Sequence, residues 1–198
     1  TISFTRQYPA WLFPGKSDRD PSYRGHREPD VEYLIDSLNP LTWRRAAKKA
    51  LEHEPEIAVI PWWTIFFAPC FWYLARRLQK AGVKVVFLCH NVVDHESAPW
   101  KILLSKKVLK QAHSYLVQSR EDEKALRKLL PGAEIRFHPH PLYDQFPEPR
   151  NELPRRAEIE LLFFGFVRPY KGLDILIDAL GLLDPARDVH LTVAGEFW

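Results

Sequence analysis

The sequence predicts an α/β protein: a Rossmann-like parallel sheet with helices on its faces, followed by the first βαβ unit of a second Rossmann-like domain. Three observations carry this. Short β-branched and apolar runs alternate with segments of helical apolar period along the chain. A stretch rich in proline and charge, residues 139–156, interrupts the alternation once. The pattern then restarts as one complete strand-helix-strand unit over residues 159–194. The expected organisation is a first domain over residues 1–146 whose own first βα unit is missing, a linker at 147–157, and a truncated second domain over 158–198.

Residues 1–5 read as a strand. Residues 8–29, rich in Pro, Gly, Arg and Asp with no apolar period, read as a long loop of the kind that often carries function. A strand at 31–35 leads through Asn39-Pro40 into a helix at 41–52, with Arg44, Arg45, Lys48 and Lys49 on its polar side. A strand at 57–60 and a helix at 71–81 repeat the theme, and Gly82 is placed to end that helix. The uncharged run 57–75 is long enough to span a bilayer, but Pro61 and Pro69 divide it into strand, loop and helix. Residues 83–89 form an apolar strand ending at His90-Asn91, followed by a helix at 100–112 and a strand at 115–118. Ser119 then caps a helix whose first turn holds Glu121 and Asp122, acids that suit the positive end of the helix dipole. Pro131-Gly132 ends it, and a short strand follows at 135–137. In the last unit, strand 159–164, loop 165–172, helix 173–183 and strand 189–194 follow in order, with Leu173, Leu176, Ile177, Leu180 and Leu183 on one helical face.

Composition excludes a disordered chain and a disulfide scaffold. The 198 residues are 46% hydrophobic and 27% charged, and the two cysteines, Cys70 and Cys89, fit core positions in a reducing cytoplasm. The opening residues read as a strand and not as a secretory leader. With no Met, an opening in mid-strand and a close on Gly195-Glu196-Phe197-Trp198, the chain reads as a fragment. Its net charge of +3 is uneven: residues 40–130 hold 16 Lys and Arg against 8 Asp and Glu, and the rest 12 against 17. That basic region suits an anionic membrane surface, a phosphate-bearing substrate or nucleic acid, or is a set of solvated helix faces. Nucleic acid ranks last, because the basic residues lack interleaved aromatics and no nucleic-acid motif is present.

In open parallel sheets ligands bind beyond the carboxyl ends of the strands. Gly165 allows a sharp turn off its strand, and Arg168 and Lys171 stand just ahead of a helix N-terminus, where free amides favour an anion such as a diphosphate. Two exposed cations in a loop is the alternative. His90, at the end of an apolar strand, is either a ligand-positioning imidazole, with Asn91 orienting it, or a strand-end cap. Trp62, Trp63, Phe66 and Phe67 either line an acceptor pocket, in which Asn91 is also placed, or pack in the core. No metal is expected: His90, Asp94, His95, Glu96, His138 and His140 match no recognised ligand spacing. A Cys89-His90 nucleophile pair is excluded by strand alternation, which points neighbours to opposite faces. Lys101, Lys106, Lys107 and Lys110 border a helix whose other side carries Leu104, Val108, Leu109 and Ala112, a helix suited to an anionic bilayer.

The run Phe163-Phe164-Gly165-Phe166-Val167-Arg168-Pro169-Tyr170-Lys171-Gly172-Leu173-Asp174, with its apolar helix, resembles the opening of the C-terminal domain of the retaining family 4 glycosyltransferases of two-domain GT-B type. Bacterial members acting on cell-surface polysaccharides come nearest. Asn39-Pro40-Leu41-Thr42-Trp43, Pro61-Trp62-Trp63, Leu88-Cys89-His90-Asn91-Val92, His95-Glu96, Gln118-Ser119 and Pro139-His140-Pro141-Leu142-Tyr143-Asp144 follow in the family's order. The resemblance implies that Arg168 and Lys171 hold the diphosphate of a nucleotide sugar, the co-substrate in place of any cofactor, and that His90 lies near the reacting sugar. Many members carry the Arg directly after the Gly, where this chain has Phe166. The family's E-x7-E pair and Gly-rich first loop lie outside residues 1–198.

The implied activity is sugar transfer from a nucleotide diphosphate sugar to a carbohydrate or polyprenyl-linked acceptor, with retention, in cell-surface glycan synthesis. The implied place is the cytoplasm, peripheral on the inner face of the membrane, and the fragment by itself is expected to be inactive. The competing readings are a GT-B-like sugar-nucleotide epimerase and a non-catalytic Rossmann-like binding module.

Overall fold

The computed structural model describes residues 1–9, 11–12, 29–92, 98–142 and 154–196. They form two compact units, one holding the described residues up to 142 and the other those from 154 onward. Most of the loop expected at 8–29 and of the linker expected at 147–157 lies outside the described residues.

The first unit runs β1 (Ile2–Arg6), β2 (Glu32–Asp36), α1 (Pro40–Glu52), β3 (Ile57–Trp62), α2 (Ala68–Lys80), β4 (Lys84–Cys89), α3 (Pro99–Leu109), β5 (Ser114–Val117), α4 (Arg120–Leu129) and β6 (Ile135–Phe137). Every strand pair is parallel. β1 pairs with β2, and β3, β4, β5 and β6 follow one another in a four-stranded sheet. Ile57 stands opposite Lys84, Val86 opposite Ser114 and Tyr115 opposite Ile135. Strands and helices alternate as the sequence predicts.

Local chemistry sets the helix starts. The Asn39 side chain accepts from the amide of Leu41, and Pro40 fills a first-turn position that needs no donor. Thr42 Oγ1 donates to Asn39 O at 2.6 Å, and Trp43 Nε1 donates to Asp36 O at 2.7 Å, tying α1 to the end of β2. A 3-10 turn at Ile65–Phe67, capped by Thr64, runs into α2, which therefore begins three residues before the predicted position, with Pro69 in its first turn. Gly82, at φ 86°, ends α2 where only a glycine sits without strain. Ser119 Oγ accepts from the amide of Asp122 at 3.0 Å, and Glu121, Asp122 and Glu123 occupy the first turn of α4.

One strand end departs from expectation. β3 passes through Pro61 to Trp62, where the sequence suggests a stop at Ile60. The amide of Lys84 donates to Glu56 O and that of His90 to Trp62 O, both at 2.9 Å. Residues 56, 58, 60 and 62 thus turn their main chain toward β4, and Pro61 turns away, where no amide donor is required.

The core of this unit fills the space between β3–β5 and the helices, with Phe67, Phe87, Val85, Val117, Leu109 and Leu126 inaccessible to solvent. Cys70 and Cys89 lie within it as free thiols. Burial pushes each thiol up from 9.0 to about 12, the nearby Asp122 carboxylate adding to the rise at Cys89. An unfolded chain sheds these protons near pH 9 and the folded one only near 12. Stability is therefore complete below about pH 9 and falls as pH rises toward 12, by roughly 1 kcal/mol per thiol per pH unit. Urea midpoints at pH 10.5 should lie well below those at pH 8, and a thiol reagent at pH 8 should label neither cysteine until the chain unfolds.

The second unit is β7 (Ile159–Phe164), α5 (Leu173–Gly181) and β8 (Val189–Ala194), with β7 and β8 parallel from Ile159 opposite Val189 to Phe164 opposite Ala194. α5 ends two residues before the predicted 183. Of its expected apolar face Leu173 is buried, whereas Ile177 and Leu183 are exposed. Leu162 and Phe164 are 67% and 83% exposed, a consequence of one strand pair with a single helix among the described residues.

Candidate functional site

In the first unit Trp63, His90, Gln118 and His138 directly follow the carboxyl ends of β3, β4, β5 and β6, with His140 two residues beyond His138. Cys89 is buried and His90 exposed, so alternation along β4 delivers the imidazole to the sheet end while its amide stays bonded to Trp62 O. The rings of His90 and His140 lie 6.5 Å apart at 46°. His138 follows β6, its amide donating to Val117 O at 2.9 Å and its Nδ1 lying 2.8 Å from Pro139 O. That contact suits the Nδ1–H tautomer and leaves Nε2 as an acceptor. Asn91 is exposed and makes no hydrogen bond to His90 among the described residues. The amide of Val92 is held by Asp122 Oδ1 at 2.8 Å, so the first turn of α4 anchors the segment that follows His90.

The aromatic residues divide. Trp62 is 1% exposed, packs against Phe71 and Phe87, and donates from Nε1 to Val92 O at 3.4 Å; it is a core residue and presents nothing to an acceptor. Alternation decides this, because Trp62 shares the inward face of β3 with Ile60. Trp63, just past the strand, is half-buried, donates to Tyr8 Oη at 2.9 Å and has an edge-to-face contact with Phe4. Phe67 is inaccessible, whereas Phe66 is partly exposed and stacks on Tyr8 at 5.5 Å. Trp63, Phe66 and Tyr8 therefore form the aromatic surface that remains at this end.

Asp94, His95 and Glu96 lie outside the described residues, and no group of three metal-ligating side chains converges among the described ones. The thiol of Cys89, raised to about 12, is no nucleophile near neutral pH. One feature lacked a sequence signal. Gln118 Oε1, at the end of β5, is shielded from solvent without a hydrogen-bond partner among the described residues, an acceptor held ready at the ligand end of the sheet. Gln118 stands among the family-like segments, but only packing makes its carbonyl an orphan.

In the second unit Gly165, Arg168 and Lys171 share the loop between β7 and α5. Gly165 takes φ 113°, open to glycine alone, and its amide donates to Ala194 O at 3.0 Å. Residues Pro169–Lys171 form a 3-10 turn, and Gly172, at φ 70°, starts α5 without a side-chain cap. The first-turn amides of α5 thus lack an internal acceptor, which is the condition for anion binding. Lys171 is exposed, with Nζ 5.4 Å from the centre of the Tyr170 ring, while Arg168 is partly buried. Gly195 was not singled out in the sequence, yet a Cβ there would stand 1.8 Å from Gly165 O, so the ends of β7 and β8 close to a distance that only glycine permits.

No protein-family profile matches the chain. A stretch of 125 residues, 62% of the chain, is 28% identical to the GDP-mannose:glycolipid 4-beta-D-mannosyltransferase of Xanthomonas campestris pv. campestris. The match spans 34% of that relative's length. Similarity in sequence to a glycosyltransferase, on a parallel α/β fold, is what the chain displays.

Proposed function

We propose that the protein transfers a glycosyl group from a nucleotide diphosphate sugar to a glycolipid or other carbohydrate acceptor, within cell-surface glycan synthesis. The similarity of 125 residues of the chain to a glycolipid mannosyltransferase carries this reading. Lys171 and Arg168, with the uncapped amides of α5 and the glycine turn at Gly165, hold the donor's diphosphate. His90 stands by the reacting sugar, where a hydrogen bond strengthens as charge grows on the leaving phosphate. Trp63 and the exposed Asn91 serve the acceptor, the partly exposed indole stacking on a sugar.

The acceptor-side unit works at an anionic membrane surface. No helix among the described residues is long and apolar enough to cross a membrane. α3 buries Val108 and Leu109 and leaves Trp100, Leu103 and Lys107 exposed; its apolar and basic groups are mixed around the helix and not divided between two faces, so the charge of its lysines toward anionic lipid, and no amphipathic face, supports this reading.

The complete protein, given GDP-mannose and a lipid-linked saccharide in anionic vesicles, is expected to elongate the acceptor and to leave the vesicles as salt is raised. Release of a free isomerised sugar nucleotide with no acceptor consumed would instead establish an epimerase. The anomeric configuration of the product settles the stereochemistry. Resemblance to the retaining family implies retention, whereas a β-linked product from an α-linked donor requires inversion.

A further inference from the structure

The turn that carries His90 is held at both ends. The amide of His90 donates to Trp62 O at 2.9 Å, and the indole Nε1 of the same tryptophan donates to Val92 O at 3.4 Å. The amide of Val92 donates to Asp122 Oδ1 at 2.8 Å, thirty residues away on α4. Trp62 and Val92 are each 1% exposed, whereas His90 and Asn91 are exposed. A turn of three residues fixed by three hydrogen bonds keeps little backbone freedom, and the His90 imidazole therefore starts from a set position.

The start of α4 shows why this carboxylate is the one that reaches out. Ser119 caps the helix, and in the common capping box the acid three residues on turns back to the cap's own amide. Asp122 occupies that position and behaves otherwise: Oδ2 accepts from the Ser119 hydroxyl at 2.7 Å, while Oδ1 leaves the helix for Val92. Ser119 Oγ also accepts from the amide of Asp122 at 3.0 Å, so the carboxylate is oriented from within its own helix. The neighbouring acids are disposed differently. Glu123 is bonded to Arg120 and Arg127, and Glu121 is exposed, both within the first turn. Those two answer the helix dipole without Asp122. The bond to Val92 thus adds nothing to α4 itself; it serves the end of β4.

We propose, resting on the role given above to His90, that Asp122 is a positioning residue, which fixes the turn after β4 through Val92 and so sets the imidazole against the reacting sugar. It acts as a hydrogen-bond acceptor, by geometry, with both of its oxygens occupied. Without it the turn beyond His90 is held by the indole bond, at 3.4 Å the longest of the three. A displacement of about 1 Å at a reacting group costs about 100-fold in rate.

In the complete protein, Asp122→Ala is expected to lower kcat for glycosyl transfer about 10- to 100-fold and to change KM for the nucleotide sugar by less than about 3-fold. Asp122→Asn keeps an oxygen acceptor without the charge and should restore most of the rate. In a His90→Ala background Asp122→Ala should cost less than about 2-fold, because a residue that acts through His90 has nothing left to position. Asp122→Glu, long enough to close the ordinary capping box instead, should lose rate in the same His90-dependent way and keeps the comparison readable if Asp122→Ala folds poorly. The amide of Val92, followed by hydrogen exchange without any substrate, should exchange about 10-fold or more faster in Asp122→Ala and near the wild-type rate in Asp122→Asn. Equal rate losses with and without His90 overturn the proposal. Equal losses in Asp122→Asn and Asp122→Ala do so too, since charge would then be the active element. Full kcat in Asp122→Ala, with fast exchange at Val92, also overturns it. No transfer by the wild-type protein, or undiminished transfer by His90→Ala, overturns the role of His90 itself and is told apart by Val92 exchange, which still reports the Asp122 bond.

Discussion

Trp62→Ala is expected to lower the stability of the first unit by about 3–5 kcal/mol, read as a fall in the urea midpoint followed by circular dichroism. The indole is 1% exposed, sits among Phe71 and Phe87, and bonds through Nε1 to Val92 O. Truncation removes that packing, opens a cavity in a layer that cannot collapse around it, and leaves the Val92 carbonyl without this donor. Trp62→Phe keeps most of the volume and should cost distinctly less. Trp63→Ala, at a half-buried position, should affect stability less than Trp62→Ala. If the two alanine variants cost the same, the division of this pair into core and ligand surface is wrong.

Lys171→Ala in the complete protein is expected to lower kcat/KM for glycosyl transfer by about 10- to 100-fold with little change in melting temperature, the loss that follows removal of one charged hydrogen-bond partner of a phosphate. Lys171 is exposed at the close of the 3-10 turn, one residue before the uncapped start of α5, so its removal takes nothing from the core. Lys171→Arg keeps the charge and should recover part of the rate. Arg168→Ala should also reduce transfer, but Arg168 is partly buried, and its melting curve must be read beside its kinetics. Undiminished transfer by Lys171→Ala would remove this loop's lysine from the donor site.

The parallel α/β class was legible because each strand and helix announces itself locally. Asn39 before Pro40, Ser119 before three acids and Gly82 after an amphipathic run state helix ends in residues that touch only their own turn. Boundaries failed where a distant strand decides them. β3 continues through Pro61 because β4 bonds to its other edge, and α2 gains a turn from the 3-10 segment capped by Thr64. Among the site residues, the glycine turn at Gly165 was visible in the sequence, whereas the contact that forces Gly195 to be glycine requires β8 to lie beside β7.

The sequence by itself determined the alternation of strands and helices and the placement of His90, Gly165, Arg168 and Lys171 at strand ends, because period and turn chemistry are properties of neighbouring residues. The tertiary structure alone decided that Trp62 is enclosed by the core whereas Trp63 packs at its margin, that Gln118 Oε1 lacks a hydrogen-bond partner among the described residues, and that β1 and β3 border a cleft. Those outcomes depend on which face of each strand meets another layer and which edge meets another strand, and both are settled by pairing between residues far apart in the chain.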